Sequence, residues 1–252
     1  RILLADMEAA AKAAASGSAP AAPSSAGVSA SSGAAPAAPP AAAMPGAAFP
    51  GPFSETAIRS IRKVIADRMR ESLATTAQFT LNASARAARL QSLRARMKAS
   101  PEALGLGGVT VGDIVLYVTS RVLKSHPLCN SLKVGDVVKT FERVHLGLAV
   151  DTPRGLMVPV IRDADLLSLE QISAEAKRLA AACIAGSANP DELSGSTFTV
   201  SNLGALGVDY FTPVINAPEV CVLGVGAILP KPFAAADGSY AIEPAIGLSL
   251  TS

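Results

Sequence analysis

Tryptophan is absent from the 252 residues, histidine occurs twice, cysteine three times, and aromatic residues make up only 4%. So few imidazoles and thiols form no cluster with metal-ligand spacing, and no metal site is expected. Stacking platforms for bases are equally scarce, and a formal net charge of +2 supplies no basic surface, so nucleic acid is not expected as a partner. Cys129, Cys183 and Cys221 are odd in number, widely spaced and set in apolar segments. They read as small core residues of a reducing compartment rather than as a disulfide framework. No run of strongly apolar residues approaches the roughly 20 needed to span a bilayer, and the N-terminus carries no signal-peptide pattern. A soluble protein without a membrane partner is expected, in the cytoplasm if bacterial and in an organelle matrix if eukaryotic; a chain opening at Arg1 need not show its true start.

Half of the residues are hydrophobic, but alanine inflates that share and is concentrated toward the N-terminus. From Ala10 to about Phe53 the chain is Ala, Pro, Ser and Gly with almost no charge and hardly a branched aliphatic. Such a segment cannot bury enough surface to offset chain entropy, so residues 10–54 are expected to be a disordered, semi-stiff Ala/Pro linker. The core must lie downstream.

Beyond the linker, Ile58, Ile61, Ile65, Met69 and Leu73 recur at helical steps, with Arg59, Arg62, Lys63, Asp67 and Arg70 mostly opposite. Ser84 is read as the entry to a second helix through Leu90, Leu93 and Met97, with Arg94 and Arg96 on its exposed face. Thr110 and Asp113 have capping-box spacing and open an apolar helix through Ile114, Val118 and Val122; Ser168 and Gln171 repeat the signal before a stripe of Ile172, Ala176, Leu179 and Cys183 that ends at Gly186. Strands are expected at Val137–Phe141, Val144–Val150, Leu156–Ile161, Thr197–Ser201, Val220–Gly226 and Ile246–Leu250, with turns at Gly135-Asp136 and Asp237-Gly238. The alternation predicts an α/β layer structure with a mixed sheet carrying helices on one face.

The most informative stretch runs from Gly195 to Gly204, where an alternating strand enters a polar turn. Thr197, Thr199 and Ser201 share one face of the pleat, Phe198 and Val200 the other. Ser201 therefore stands at a strand end beside a glycine-containing turn, where a hydroxyl can donate to a charge developing on a nearby oxygen. The residues alone leave open an ordinary turn serine bonded to local backbone. A serine-hydrolase reading fits poorly, because Val200-Ser201-Asn202 lacks the Gly-x-Ser-x-Gly elbow and no histidine follows within these residues. His126, at a helix end, and His145, within a strand, read as structural. Gly224-Val225-Gly226 is not a dinucleotide fingerprint, because the third glycine is missing and a strand surrounds it.

Taken with Asp151–Ile161 and Phe211–Glu219, the Gly195–Gly204 stretch resembles the catalytic domain of the dihydrolipoamide acyltransferases, core components of 2-oxo acid dehydrogenase complexes. The resemblance covers residues 55–252 and implies a chloramphenicol-acetyltransferase-like two-layer α/β sandwich. Arg1–Ala10 is similar to the end of a peripheral subunit-binding domain, so residues 1–9 are expected to be its remnant. Ser201, as the resemblance implies, is the catalytic donor to the oxyanion of a tetrahedral intermediate. Arg94, Thr110, Asp151, Ser201, Asn202, Gly226 and Ile228 are the implied contacts to coenzyme A, the acyl acceptor. Lipoate would be carried on a separate N-terminal domain.

The implied partners are two further copies in a homotrimer, a cubic or icosahedral core built of trimers, and the 2-oxo acid dehydrogenase and dihydrolipoamide dehydrogenase components. The family's base is the histidine of a His-x-x-x-Asp-Gly motif that follows a strand like Leu248–Ser252. The sequence stops there, so residues 55–252 are expected to lack the C-terminal segment with the base, and alone to transfer no acyl group. Ser201–Gly204 followed by Gly207-Val208-Asp209 and Phe211 resembles the pyruvate-linked acetyltransferases of the family more than its branched-chain or 2-oxoglutarate types. The competing expectation is a catalytically silent homologue that binds a dehydrogenase and sits in the core; a free-standing acyltransferase is disfavoured by the linker and the subunit-binding remnant.

Overall fold

The computed structural model describes Pro52, Ser54 and residues 56–58, 60–235 and 237–252. The chain divides into two units, Arg1–Glu55 and Thr56–Ser252. The subunit-binding remnant expected at 1–9 and the linker expected at 10–54 lie outside the described residues, apart from Pro52 and Ser54.

Helix α1 (Ser60–Thr75) buries part of Ile61, Ile65 and Met69 and all of Ser72, whose hydroxyl donates to the Ile215 carbonyl at 2.7 Å. Ile58 and Leu73, read as part of the stripe, are exposed instead. Steps of four, four and three from Ile61 end at Ser72, so a 3.6-residue repeat carries Leu73 off the face. Strand β1 (Thr80–Arg86) follows where the sequence reading had a helix entry. Ser84 lies inside this strand opposite Gly247, and helix α2 (Ala88–Lys98) begins only after Ala87.

Helix α3 (Val111–Val122) has the expected capping box. The Thr110 hydroxyl accepts the Asp113 N–H at 3.1 Å and the Asp113 carboxylate accepts the Thr110 N–H at 2.8 Å. Its buried face is Ile114, Leu116, Thr119 and Ser120, while Val118 and Val122 are half exposed, so the stripe read through them is displaced by part of a turn. Strands β2 (Ser131–Val134) and β3 (Val137–Thr140) form a separate hairpin whose turn puts Gly135 at φ 59°, a left-handed value that glycine takes without strain.

Next come β4 (Leu146–Leu148), β5 (Val160–Ile161) and helix α4 (Leu169–Ala185). Ser168 and Gln171 cap α4, and Ile172, Ala176, Leu179 and Cys183 are its buried stripe, as the spacing predicts. β6 (Phe198–Asn202), β7 (Val222–Ala234) and β8 (Tyr240–Thr251) complete the described elements. The last two run well past the expected limits. Pro230, Pro232 and Pro244 sit within them, residues that argue against strand when read singly.

The six-stranded sheet has the order β1-β8-β7-β6-β4-β5 and is mixed: β6 runs parallel to both β4 and β7, and the other pairs are antiparallel. One core joins the helices to the sheet through Leu116, Leu123, Ile172, Leu179, Leu146, Phe198, Val200, Val225 and Ile246. Each such side chain stabilises the fold by about 1.5–3 kcal/mol on burial. The result is the α/β arrangement with a mixed sheet that the alternation predicts. Among the described residues no helix is long and apolar enough to cross a membrane.

Candidate active site

Parallel pairing of β4, β6 and β7 brings three strands to the same end of the sheet, where open α/β folds bind ligands. The register sets Ser201 opposite Gly224, Gly224 opposite Ser249, and Ser249 opposite Asn82, so these four share one face. Asn202 then belongs to the other face, the one that carries the helices.

On that face lies a groove of ≈ 490 Å³ lined by Thr110, Val111 and Gly112 of α3, by Asn202, Gly204 and Ala205, and by Val225, Gly226, Ala227, Ile228 and Ile246. No lining side chain is ionisable. The first-turn amides of α3, which a helix leaves without internal partners, border it and favour a negatively charged or strongly accepting ligand group. Gly204 N–H donates to Asn202 Oδ1 at 2.9 Å, so the polar turn after β6 is held by the asparagine. Ser201 is half-buried, and among the described residues its hydroxyl makes no hydrogen bond.

Four of the seven residues expected to contact coenzyme A, Thr110, Asn202, Gly226 and Ile228, thus meet in one groove, and Ser201 adjoins it on the opposite face. Arg94 departs from the exposed position read for it. It is half-buried, its Nη2 donates to the Gly107 carbonyl at 3.2 Å just before the Thr110 cap, and its Nη1 is buried without a partner. Asp151 is exposed and does not line the groove. It follows β4, whose extension Ala149 donates to the Val200 carbonyl at 3.0 Å.

Gly226 is one of the implied coenzyme A contacts, and the packing gives it another duty. A side chain there would collide with the Asp209 carbonyl, as would one at Gly247, and one at Gly224 would meet the Phe211 ring at 2.9 Å. The three glycines form a lane on which Asp209–Phe211 lies flat over the Ser201 face. Lys231 anchors this segment, donating to Asp209 at 2.8 Å and to the Tyr210 hydroxyl at 2.7 Å, while Ser84 also bonds that hydroxyl. Lys231 draws the Tyr210 phenol below its ordinary pKa; burial opposes the charge on Lys231, but Asp209 and Tyr210 outweigh it and hold its pKa up.

Sequence reasoning gave no role to Glu219, which is 4% exposed. Its Oε1 accepts from the hydroxyls of Ser196 and Thr199 and from Asn216 Nδ2, and its Oε2 is buried with no partner. Burial pushes this carboxyl above the usual carboxylate range against the pull of those three donors. The available signal was a carboxylate inside the apolar run Pro218–Leu223. His126 is exposed between two 3-10 turns, and among the described residues its imidazole makes no hydrogen bond, so the capping role read for it is not seen; His145 Nδ1 accepts the Asp163 N–H at 3.1 Å.

Residues 50–252 match the family model of 2-oxoacid dehydrogenases acyltransferase (catalytic domain). The dihydrolipoyllysine-residue acetyltransferase component of the acetoin cleaving system of Bacillus subtilis (strain 168) is 39% identical over 178 residues, which are 71% of this chain and 45% of that protein. The chain therefore spans less than half the length of this relative. Among solved structures, the dihydrolipoamide acetyltransferase of Azotobacter vinelandii superposes with a TM-score of 0.74 at 32% identity, covering 80% of this chain and 83% of that one. A serine, a histidine and an asparagine have been studied for their role in its catalytic mechanism. The cubic core of the pyruvate dehydrogenase multienzyme complex superposes with the same TM-score, identity and coverage.

Proposed function

The chain belongs to the catalytic-domain family of the 2-oxoacid dehydrogenase acyltransferases, and from that membership we propose that it transfers an acyl group, acetyl in this reading, from acyl-dihydrolipoamide to coenzyme A. The observation that carries the reading is the Ser201 hydroxyl, left without a partner at the end of β6 on the face opposite the groove. Coenzyme A would lie along the groove of Thr110, Asn202, Gly226 and Ile228, and the Arg94 guanidinium, held on the Gly107 carbonyl just before the Thr110 cap, would turn toward a phosphate. Ser201 addresses the opposite face, so the two thiols would approach the strand end from different sides.

The thiol of coenzyme A would lose its proton to the histidine base that the family resemblance implies, and the thiolate would attack the acyl carbon. Ser201 donates to the oxygen that becomes negative. The bond from carbon to the dihydrolipoyl sulfur then breaks, and that sulfur takes up the proton. In this reading the lipoyl group arrives on a separate domain and the assembly is a core of trimers served by the 2-oxo acid dehydrogenase and dihydrolipoamide dehydrogenase components; likeness to a cubic core supports the core assembly alone.

The test is acetyl-coenzyme A formation by the full-length protein from acetyl-dihydrolipoamide. Turnover is expected, and Arg94→Ala should raise KM for coenzyme A about tenfold with little change in kcat, the loss of one charge-assisted contact. Absence of transfer in a folded full-length protein would leave the silent-scaffold reading in its place.

A further inference from the structure

Glu219 is a buried titratable group that the proposed chemistry does not use. Its backbone is fixed from two sides: Glu219 N–H donates to the Asn216 carbonyl at 3.1 Å, and the residue bridges Leu132 of β2, with Lys133 N–H on the Pro218 carbonyl at 2.8 Å and Val220 N–H on the Ser131 carbonyl at 3.2 Å. From this base the carboxyl reaches β6. There it takes the Thr199 hydroxyl at 2.8 Å and the hydroxyl of Ser196 just before the strand, while Asn216 Nδ2 closes the set at 2.9 Å.

Gly147 on β4 leaves the room this needs, since a Cβ there would stand 2.6 Å from Thr199 Oγ1 and 3.2 Å from Ser196 Cβ. Thr199 and Ser201 share a face two residues apart, about 6–7 Å along the strand. Phe211, in the same connection that leads to Glu219, packs on Gly224, the register partner of Ser201.

We propose that Glu219 is a positioning residue for Ser201: its carboxyl ties β6 to the 211–219 connection and thereby fixes where the Ser201 hydroxyl points. The inference rests on the reading of Ser201 as the oxyanion donor. Three donors meet at Oε1, none reaches Oε2, and among the described residues no cation pairs with the group. Burial without a counter-charge favours the neutral acid and the three donors favour the carboxylate; in either state Oε1 is held against β6.

The experiment is a double-mutant cycle on the full-length protein with acetyl-dihydrolipoamide and coenzyme A. Glu219→Ala should lower kcat about tenfold or more while KM for coenzyme A stays within about twofold, as expected of a misaimed donor. Glu219→Gln, neutral and of the same shape, should stay within about threefold of the parent. In a Ser201→Ala background Glu219→Ala should cost less than about twofold, since the group it positions is gone. Thr199→Val removes one bond of the set and should show the same non-additivity, which keeps the inference testable if Glu219→Ala does not fold. Losses that multiply in the double variant, or a Glu219→Ala enzyme at the parent rate, would overturn the positioning role. An unchanged kcat in Ser201→Ala alone would instead overturn the reading of Ser201 on which it rests.

Discussion

Phe198 and Val200, on one face of β6, are buried among Leu116, Ile172 and Leu179 in the apolar core. Thr197 and Thr199, on the other face, are buried as completely, yet their hydroxyls are spoken for by Asn130 Oδ1 at 2.6 Å and Glu219 Oε1 at 2.8 Å. One face is held by area, which tolerates any side chain of suitable volume, and the other by matched donors and acceptors, which does not. Ser201 continues the polar face to the strand end with no partner of its own. A strand packed on one face, bonded on the other and open at its tip is what the donor role proposed for Ser201 requires.

Breaking the apolar face should have the largest effect on stability. Phe198→Ala, at a site 3% exposed, is expected to destabilise by about 3–5 kcal/mol in denaturant unfolding, and a loss below about 1 kcal/mol would show that the face is not close-packed. Gly226→Ala drives a methyl into the Asp209 carbonyl and should cost about 1–3 kcal/mol while lifting the Asp209–Phe211 segment from the polar face. Unchanged stability would mean that the glycine lane yields easily.

The polar face should be distinguishable by pH. Glu219 binds its proton more tightly folded than unfolded, so its contribution is fully present below the ordinary glutamate pKa of about 4.3 and is lost as pH rises through the folded value. Within that window the slope approaches about 1.4 kcal/mol per pH unit, and Glu219→Gln should remove it. The facing group from its own segment, Cys221, is a thiol pushed up to about 11 by burial and stays neutral across most of the range. Asp165 acts oppositely. Burial works to raise its pKa, but the Val144 N–H, Lys124 and Arg143 overcome it and hold it low, so Asp165→Asn should remove stability that the parent loses as pH falls below the ordinary aspartate range. A parent and a Glu219→Gln variant with parallel pH profiles would show that folding does not raise the Glu219 pKa. The smallest effect is expected at the groove rim: Thr110→Ala loses the α3 cap and about 1 kcal/mol, read by thermal unfolding.

Features that depend on neighbours in sequence were legible. Both capping boxes, the α4 stripe, the Gly135 turn and the alternation that delivers Ser201 to a strand end all follow from spacing within a few residues. What escaped reading is set by distant partners. Thr80–Arg86 has no apolar run and exposes six of its seven residues, and only the ladder to β8 makes it a strand. The same ladder logic extends β7 and β8 through prolines that pair at the far end of the hairpin. Within the site, Thr110, Asn202, Gly226 and Ile228 were carried by resemblance, and the fold brings them to one groove. The duty of Gly226 toward Asp209 and the convergence of three donors on Glu219 join residues that no local pattern links.

The most direct test of the account is a single-turnover measurement of acetyl transfer by the full-length Ser201→Ala protein at saturating acetyl-dihydrolipoamide and coenzyme A. The account predicts a rate lower by about 10²–10³, an unchanged KM for coenzyme A, and thermal unfolding close to the parent, because the hydroxyl holds nothing in the resting fold. Transfer at the parent rate would contradict it, and so would a loss of stability as large as the loss of rate.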